Sequence, residues 1–444
     1  MPKRIEDKVV PIKSGMDPAM ATVMDVRDKF GLRLNKDRLP IGCLENVVTI
    51  LLNDEAWQDV LAFNQFTCAL EKKQQPPFGA DDGDWTDADD IETRLWLSQK
   101  YDMRATDKDV AAGVSAVGNR AKHHPVREYL DSLQWDGVGR ISSWLVHYLG
   151  AQVPDDGGDL RSIEYYAKAG SWWLISAVAR IYRPGCQADH VLLLEGRQGA
   201  GKSTALRMLF GEWFSDTPIR IGDKDSYGAL RGVWGYELAE LDSFNRAESS
   251  ASKAFFSTTQ DKYRPPYGKR DILAPRQNVF AGTTNHDQYL RDSTGNRRYW
   301  PVRCGEMRLR GESSLESDCD QLWAEAVVRF RQGELWYPTS QEDVVLFGEQ
   351  QAEREHGDVY EALIDGKTGG MTEITMVEIF ASILEIEPAK MTRAEQIRVG
   401  EAMKRLGWTK KRTGLGEGRS YVYEREIRGV APGVGFSGAE TVPF

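Results

Sequence analysis

One segment of the sequence has the residues and the spacing of a phosphate-binding loop. VLLLEGRQGAGKST (191–204) matches G-x-x-x-x-G-K-[ST], directly after a β-type apolar run and before a helical pattern. Glycines let consecutive backbone N–H groups turn inward at a helix N-terminus, where they bind an anion. Lys202 supplies a charge for the β- and γ-phosphates, and the Ser203 hydroxyl supplies a ligand for Mg²⁺. The sequence therefore predicts a site for ATP and Mg²⁺ at Gly196, Gly199, Gly201, Lys202, Ser203 and Thr204.

Acidic residues follow the next apolar run, VWGYELAELDSF (233–244). A phosphate-binding loop needs carboxylates on a neighbouring strand that hold Mg²⁺ and polarise water. Glu240 and Asp242 share one face of a regular strand, whereas Glu237 points to the other face. We predict that Glu240 activates water and that Asp242 assists at the metal, where Glu240 is also a ligand beside Ser203. Glu237 is a further catalytic candidate, and the alternative for this segment is a solvated strand end.

Two more polar features come later in the chain. The run NVFAGTTN (278–285) ends in Asn285, whose amide can orient an attacking water molecule. The stretch TGNRRYWP (294–301) places Arg297 and Arg298 at a change of chain direction, ahead of a short apolar strand. Surface salt bridges are one interpretation of this arginine pair. Contact with a nucleotide phosphate is the other.

A basic loop, KYRPPYGKRDIL (262–273), lies between the acidic run and Asn285. Two prolines stiffen it, and an aromatic and two cations follow them. An aromatic side chain can stack on a base, and cations can contact backbone phosphates without sequence preference. We predict that Tyr267, Lys269 and Arg270 contact DNA, the alternative being an ordinary charged surface loop.

The elements that must position these residues indicate an α/β fold. Between about 141 and 306, β-type runs alternate with helical patterns, which predicts a parallel sheet flanked by helices. The preceding region has mainly helical patterns, including 44–63, with a predicted loop at the acidic segment 79–92. Helix, helix and hairpin in order predict a winged-helix-like C-terminal domain. The predicted division is a leader (1–20), a helical N-terminal domain (21–140), the ATPase domain (141–306), a helical extension (307–365), the winged-helix-like domain (366–428) and a disordered tail (429–444).

Charge is unevenly distributed along the sequence. The net charge of -10 argues on its face against a nucleic-acid partner. However, residues 253–303 hold ten Lys and Arg against four Asp, and residues 391–428 hold ten against five acids. These two basic regions are compatible with locally bound DNA. In the second, cations of the helix and wing could grip duplex DNA or form a solvated face: Lys404, Arg405, Lys410, Lys411, Arg412 and Arg419.

Composition excludes several classes of protein. No apolar run approaches the length of a membrane span, and the N-terminus lacks the apolar core of a signal peptide. The five cysteines are scattered and form no C-x-x-C pair, which favours a reducing compartment without a zinc site. We therefore expect a cytoplasmic protein with no membrane partner.

Taken together, the order of these motifs resembles that of the AAA+ ATPases, especially the superfamily 3 helicases. It is most similar to the virulence-associated protein E family of phage and mobile-element replication proteins. The resemblance covers roughly residues 123–335, about half of the chain. The matching segments are HHPVREYLDSLQWDG, PGC (184–186), DHVLLLEGRQGAGKST, ELAELD, KYRPPYGKRD, GTTNHDQYLRDSTGNRRYWPV and LWAEAVVRFRQGE.

The resemblance implies an AAA+ core and a ring, expected to be a hexamer, with ATP bound between subunits. It also implies an arginine finger supplied to the neighbouring subunit by Arg297 or Arg298, and a hairpin at 262–273 that projects into the central pore. Lys253 matches a lysine that the family keeps near the acidic strand. The acids depart from the pattern, because they form Glu-x-x-Glu-x-Asp rather than an adjacent Asp-Glu pair.

Three functions are compatible with these motifs. The leading one is a replicative DNA helicase or translocase in a bacterial cell, encoded by a phage or mobile element, that moves along single-stranded or forked DNA. A second is a DNA-stimulated ATPase that remodels or senses nucleic acid without unwinding it. A third is an ATP-dependent origin-binding or loading protein that uses its C-terminal domain to recognise a site. No primase constellation is evident, so a separate primase or other replication proteins are expected partners.

Overall fold

The structure, a computed structural model, describes residues 30–151, 160–220, 224–238, 249–263, 272–286, 289–290, 296–354, 359–387, 391–413 and 420–425. The chain divides into two compact units, Met1–Arg354 and Glu355–Phe444, and each has its own hydrophobic core. The finer predicted division stays a prediction. Its leader (1–20) and tail (429–444) lie outside the described residues.

The first part of unit 1 combines helices with a sheet that the predicted helical N-terminal domain did not include. Its strands are β1 (Leu61–Asn64), β2 (Ala69–Lys72), β3 (Gly83–Asp84) and β4 (Lys122–His123), in the order β3-β2-β1-β4. Strands of two to four residues are too short to show the alternation by which a strand is recognised in a sequence. Helices α1 (Leu44–Asn53), α2 (Asp87–Tyr101) and α3 (Asp107–Gly118) pack with this sheet around one core.

Two local capping groups explain where the predictions for this region failed. The apolar spacing at 44–63 predicted one helix, but α1 ends at Asn53, and the Asp54 side chain accepts a hydrogen bond from the Ala56 N–H to start a separate 3₁₀ turn. The acidic segment 79–92 was predicted as a loop. Its later acids Asp87, Asp89 and Asp90 instead occupy the first turn of α2, where Thr86 and Asp89 form a capping box and the negative charges complement the helix dipole.

The centre of unit 1 is a five-stranded parallel sheet, which confirms the predicted α/β core. All four strand pairs in it are parallel, and the strand order is β11-β5-β10-β7-β6. The strands are β5 (Val191–Glu195), β6 (Phe214–Ser215), β7 (Gly235–Leu238), β10 (Val279–Thr284) and β11 (Tyr299–Arg303). A separate antiparallel pair, β8 (Gln260–Tyr263) and β9 (Ile272–Pro275), flanks the basic loop.

Helices cover both faces of the central sheet. Because side chains alternate along a strand, Leu192 and Leu194 of β5 enter one core, whereas Val191 and Leu193 enter another. Among the described residues no helix is long and apolar enough to cross a bilayer. The remaining helices of unit 1 are α4 (Pro125–Ser132), α5 (Trp144–His147), α6 (Leu160–Tyr182), α7 (Lys202–Phe210), α8 (Lys224–Gly228), α9 (Ser249–Ser257), α10 (Leu315–Arg331) and α11 (Gln341–Ala352).

Unit 2 is a small α/β unit with a three-stranded antiparallel sheet. Helix α12 (Val359–Thr368), the short helix α13 (Met376–Glu378), which continues as a π turn, and helix α14 (Arg393–Arg405) pack around its core. The sheet order is β12-β14-β13, from strands β12 (Glu373–Thr375), β13 (Thr409–Thr413) and β14 (Ser420–Glu424). The predicted hairpin is present as β13 and β14, and the sequence analysis missed the three-residue strand β12.

Candidate nucleotide-binding site

The topology of the central sheet opens a crevice at the carboxyl ends of β5 and β10. These two strands are neighbours, but the chain leaves β5 toward one edge of the sheet, at β6, and leaves β10 toward the other edge, at β11. Such a reversal is where α/β sheets bind ligands. The predicted phosphate-binding loop follows β5 and Asn285 follows β10, so both lie at this crevice.

The loop has the backbone that its glycines predict. Gly196, Gly199 and Gly201 all have positive φ angles, which residues with a side chain rarely adopt. At Gly201 a Cβ atom would also lie 2.8 Å from Leu309 Cδ1. Lys202 is the first residue of helix α7, so the N–H groups of its first turn face the loop, and Thr204 is exposed on that turn.

Lys202 is buried and is held by oxygen atoms of the loop. Its Nζ atom donates hydrogen bonds to the carbonyl oxygens of Gly196, at 2.7 Å, and Arg197, at 2.9 Å. A third bond, of 3.0 Å, goes to Oδ1 of Asn285. Burial lowers the pKa of Lys202, and the nearby Glu237 carboxylate opposes that shift. The predicted lysine and the predicted amide therefore meet directly.

Glu237 is the acid that the structure places against the loop. It lies in β7 with only 2% of its surface exposed, and its Oε1 atom accepts hydrogen bonds from Ser203 Oγ, at 2.6 Å, and Thr283 Oγ1, at 2.8 Å. Its buried Oε2 atom has no hydrogen-bond partner among the described residues. The sequence analysis ranked this residue below Glu240 and Asp242, which lie outside the described residues.

The contact between Thr283 and Glu237 follows from the strand register. Ala281 of β10 pairs with Glu237 of β7, and Thr283 is two residues further along the same face. Thr283 was noted in the sequence only as part of a polar strand end. Thr283 could have been identified from its hydroxyl, which lies on the same sheet face as a buried acid of the neighbouring strand. Recognising this requires the strand register, which the sequence does not provide.

Loop, acid and amide together suit a magnesium nucleotide. A hydroxyl oxygen and a carboxylate oxygen are hard ligands of the kind that Mg²⁺ takes, and the unpartnered Oε2 of Glu237 leaves an acceptor at the site. In the described residues no group of three or more His, Cys, Asp or Glu side chains is arranged to hold a metal ion.

The predicted DNA-contacting residues Tyr267, Lys269 and Arg270 lie outside the described residues, but the base of their loop is described. Strands β8 and β9 pair in antiparallel register up to Tyr263 and Ile272. A buried ion pair of 2.8 Å joins Arg276 to Asp261, and the Arg276 guanidinium stacks on Phe255 at 4.5 Å. The base of the loop is therefore fixed to helix α9 and to the central sheet.

The paired arginines lie on the side of the central sheet where the strands begin, opposite the carboxyl ends at which the crevice opens. They occupy a 3₁₀ turn at the amino end of β11, which runs parallel to β5 with Tyr299 opposite Val191 and Arg303 opposite Glu195. The five residues of β5 therefore separate them from the loop of their own chain by about 17 Å at the usual rise per residue. A guanidinium cannot cross that distance.

The structure also separates Arg297 from Arg298. Arg298 donates two hydrogen bonds to Ser257 Oγ, of 3.1 and 2.9 Å, and lies 3.6 Å from Asp189. Arg297 is exposed and forms no hydrogen bond or ion pair with any described residue. The salt-bridge interpretation thus applies to Arg298 and leaves Arg297 available to another molecule.

A half-buried histidine packs beside this arginine pair. His190 stacks on Trp300 with ring centroids 4.2 Å apart. Burial lowers the pKa of His190 from 6.5 to about 4, the carboxylate of Asp189 opposes that shift, and Arg298 and Arg297 add to it. The ring is therefore neutral in the folded protein at neutral pH.

We expect His190 to make the fold sensitive to mild acid. The unfolded chain binds a proton on this ring below pH 6.5, whereas the folded chain does so only near pH 4, so stability falls as the pH decreases through this window. The loss between pH 7 and pH 5 should be about 2 kcal/mol. Urea unfolding of the wild type and of a His190→Phe variant, which keeps the aromatic stack, measures it. An equal loss in both proteins would contradict this assignment.

One buried cluster beside the loop was not predicted from the sequence. Glu195, the last residue of β5, accepts hydrogen bonds from Arg354 Nε, at 2.9 Å, and from the Tyr289 hydroxyl, at 2.5 Å. Both charged side chains are at most 3% exposed. An acid at the end of an apolar strand indicates that a charged or polar partner must lie nearby. The spacing of residues in the sequence cannot identify that partner, because Arg354 is 159 residues away.

The comparison with protein families agrees with these motifs. The model of the virulence-associated protein E-like domain matches residues 130–356, just over half of the chain, including the phosphate-binding loop, Glu237, Asn285 and both arginines. The chain belongs to the virulence-associated protein E-like family. The match to this family also includes Arg354, at the end of unit 1.

Solved structures similar to this virulence-associated protein E-like chain include the C-terminal region of NrS-1 in its apo form. One has 11% identity and a TM-score of 0.46, and the alignment covers 86% of this chain and 98% of that chain. A second, described as the A form, has 11% identity and a TM-score of 0.45, with 86% and 100% covered. No curated protein matches the chain.

Proposed function

We propose that this chain is an ATP-hydrolysing DNA helicase or translocase that serves the replication of a phage or another mobile element. One observation carries the proposal: at the crevice of the central sheet, Lys202 contacts Asn285 and Ser203 contacts Glu237. A phosphate-binding lysine, a metal-binding hydroxyl, an acid and a polar amide are the parts that hydrolysis of a nucleoside triphosphate requires. Membership of the virulence-associated protein E-like family supports the role in replication.

The contacts within the site suggest the task of each side chain. Lys202 exchanges its bonds to the loop carbonyls for bonds to phosphate oxygens, which are stronger because both donor and acceptor are then charged. Ser203 and Glu237 would hold Mg²⁺, which would neutralise charge on the phosphates. Asn285, exposed at the end of β10, orients the attacking water. Glu240 or Asp242 then takes the proton from that water.

We further propose an AAA+ core of the superfamily 3 type, assembled as a ring with ATP between subunits. The position of Arg297 supports this arrangement, because the residue is exposed and lies about 17 Å from the loop of its own chain. In a hexamer the hairpin of β8 and β9 would present Tyr267, Lys269 and Arg270 to single-stranded DNA in the central pore. The order of elements in unit 2 supports a winged-helix-like domain.

A forked-duplex assay tests the proposed activity. With ATP and Mg²⁺ the wild type should separate the two strands of a fluorescently labelled fork. It should fail with a non-hydrolysable ATP analogue, because translocation requires repeated hydrolysis. A Lys202→Ala variant should also fail, since it lacks the charge that holds the phosphates.

Other outcomes of this assay assign the function differently. ATP hydrolysis that single-stranded DNA stimulates, without separation of the fork, would show an ATPase that remodels or senses nucleic acid. Absence of hydrolysis in the wild type would refute the proposal entirely. Footprinting on the DNA of the parent element with ATP present would reveal an origin-binding or loading protein as protection of one discrete site.

A further inference from the structure

A groove in unit 2 lies between helix α14 and the hairpin of β13 and β14. It has a volume of about 620 Å³, and Trp408 and Tyr423 form part of its apolar lining. Arg393 and Lys404 of the helix and Lys410 of β13 also line it. All three cations are exposed, and none forms an ion pair with a described residue. The groove is therefore a concave surface with uncompensated positive charge.

The charge of this groove differs from that of the other face of the same sheet. Its lining contains three cations and no carboxylate. The second groove, on the other face, contains Lys411 and Arg425 together with Glu373 and Glu424, so its charges balance. Successive residues of a strand point to opposite faces, which places Lys410 in the first groove and Lys411 in the second.

Ion pairs also distinguish the basic residues of unit 2 that line the first groove from others that do not. Lys411 forms an ion pair with Glu424, and Arg405 forms one with Glu361. Lys410 instead lies 4.3 Å from the centroid of the Tyr421 ring, an aromatic contact that leaves its positive charge uncompensated. Of the cations that the sequence indicated for this domain, Arg419 lies outside the described residues, and Lys404 and Lys410 are the described ones that line the basic groove.

The exposed face of helix α14 completes the surface. Arg393, Gln396, Ile397 and Lys404 lie at helical spacing on one face, and Val399, Ala402 and Met403 are buried on the other. Ile397 is 56% exposed within this polar stripe. An exposed helix fits the major groove of DNA, where its first residues reach base edges and an apolar side chain can contact the methyl group of thymine.

We infer that this surface binds duplex DNA: helix α14 enters the major groove, and the basic groove beside it takes one sugar-phosphate strand. Lys404 and Lys410 contact phosphates, and Arg393 and Gln396, in the first turn of the helix, contact base edges. The residues of this site belong to unit 2, whereas those of the nucleotide crevice and of the predicted hairpin belong to unit 1. Binding of duplex DNA therefore requires neither ATP nor hydrolysis.

Fluorescence anisotropy of the full chain with a blunt, labelled duplex tests the inference. A mixed-sequence duplex of about 20 base pairs, or two helical turns, without nucleotide, excludes both single-stranded ends and ATP-driven loading. Lys404→Ala and Lys410→Ala should each weaken binding about tenfold. Each should also lower the slope of log affinity against log salt by about one, because one phosphate contact is lost.

Lys411→Ala is the matched control, since it removes the same charge from the adjacent residue on the other face. It should change affinity less than twofold, and all variants should melt at the temperature of the wild type. The same loss in Lys411→Ala as in Lys410→Ala would overturn the inference, as would failure of the wild type to bind the duplex. Displacement of the duplex by an equally charged poly-glutamate peptide would also overturn it, because the groove would then be a site for acidic proteins. ATPase activity, measured in parallel, should be unchanged in all three variants.

Discussion

Replacing Arg297 with alanine should lower the rate of ATP hydrolysis by about a thousandfold or more while leaving the affinity for ATP unchanged. Arg297 is exposed, forms no hydrogen bond or ion pair with a described residue, and lies at the sheet edge opposite its own phosphate-binding loop. A guanidinium so placed can stabilise transition-state charge only at another subunit. Steady-state hydrolysis and the binding of a fluorescent ATP analogue separate the two effects.

Arg298→Ala should behave differently, because this arginine is engaged within its own chain. Its bonds to Ser257 and its proximity to Asp189 tie the turn that carries Arg297 to helix α9. Its loss should lower the midpoint of urea unfolding and reduce hydrolysis less than the loss of Arg297 does. If the two variants had the opposite order of activity, Arg298 would be the residue that acts on the neighbour.

Mixing experiments decide whether the arginine acts between subunits. Under the proposed action in trans, Arg297→Ala and Lys202→Ala would each be defective in a different half of a shared site, so a mixture should contain some interfaces with both residues intact. Activity should therefore reappear on mixing two inactive proteins. A mixture that stays inactive at every ratio would remove the support for action in trans.

The second large effect is expected at Glu237. A Glu237→Gln variant keeps the size of the side chain and an oxygen that can accept from Ser203 and Thr283, but it loses the negative charge. Weaker Mg²⁺ binding should remove several kcal/mol of transition-state stabilisation, which corresponds to about a hundredfold or more in rate. Hydrolysis measured across a range of Mg²⁺ concentrations should show partial recovery at high Mg²⁺.

Thr283→Val is the control for that experiment, because it removes a hydrogen bond to the same carboxylate and keeps the charge. It should reduce the rate far less than Glu237→Gln does. A Glu237→Gln variant with the full rate at low Mg²⁺ would show instead that Asp242 or Glu240 holds the metal.

The sequence was sufficient to predict the parts of the site that short-range chemistry determines. The phosphate-binding loop has a fixed spacing and a glycine requirement, and the apolar runs of β5 and β10 are long enough to be recognised. Asn285 was identified because it follows such a run, and the structure places its Oδ1 atom 3.0 Å from Nζ of Lys202. The prediction of a parallel sheet flanked by helices was confirmed for the same reason.

The features that could not be predicted from the sequence depend on strand register and on contacts between residues far apart in the chain. Glu237 ranked last among the acids because a regular strand turns it to the face opposite Glu240 and Asp242, but the structure places its carboxylate against Ser203. The N-terminal sheet was missed because its strands are too short to show a period. The partner of Glu195 is 159 residues away, and no local pattern indicates it.

The nucleotide crevice lies at the carboxyl ends of the central strands and Arg297 lies at the amino end of β11. This placement limits the symmetry of any active assembly. Under the proposed action in trans, each subunit offers a nucleotide crevice at one edge and Arg297 at the other, so the contact that completes a site joins unlike surfaces. A twofold dimer could complete both of its sites only if the crevice and Arg297 lay within one contact surface. Such heterologous contacts satisfy every subunit only when the chain of subunits closes on itself. Activity per subunit should then rise steeply with protein concentration, rather than level off once pairs have formed.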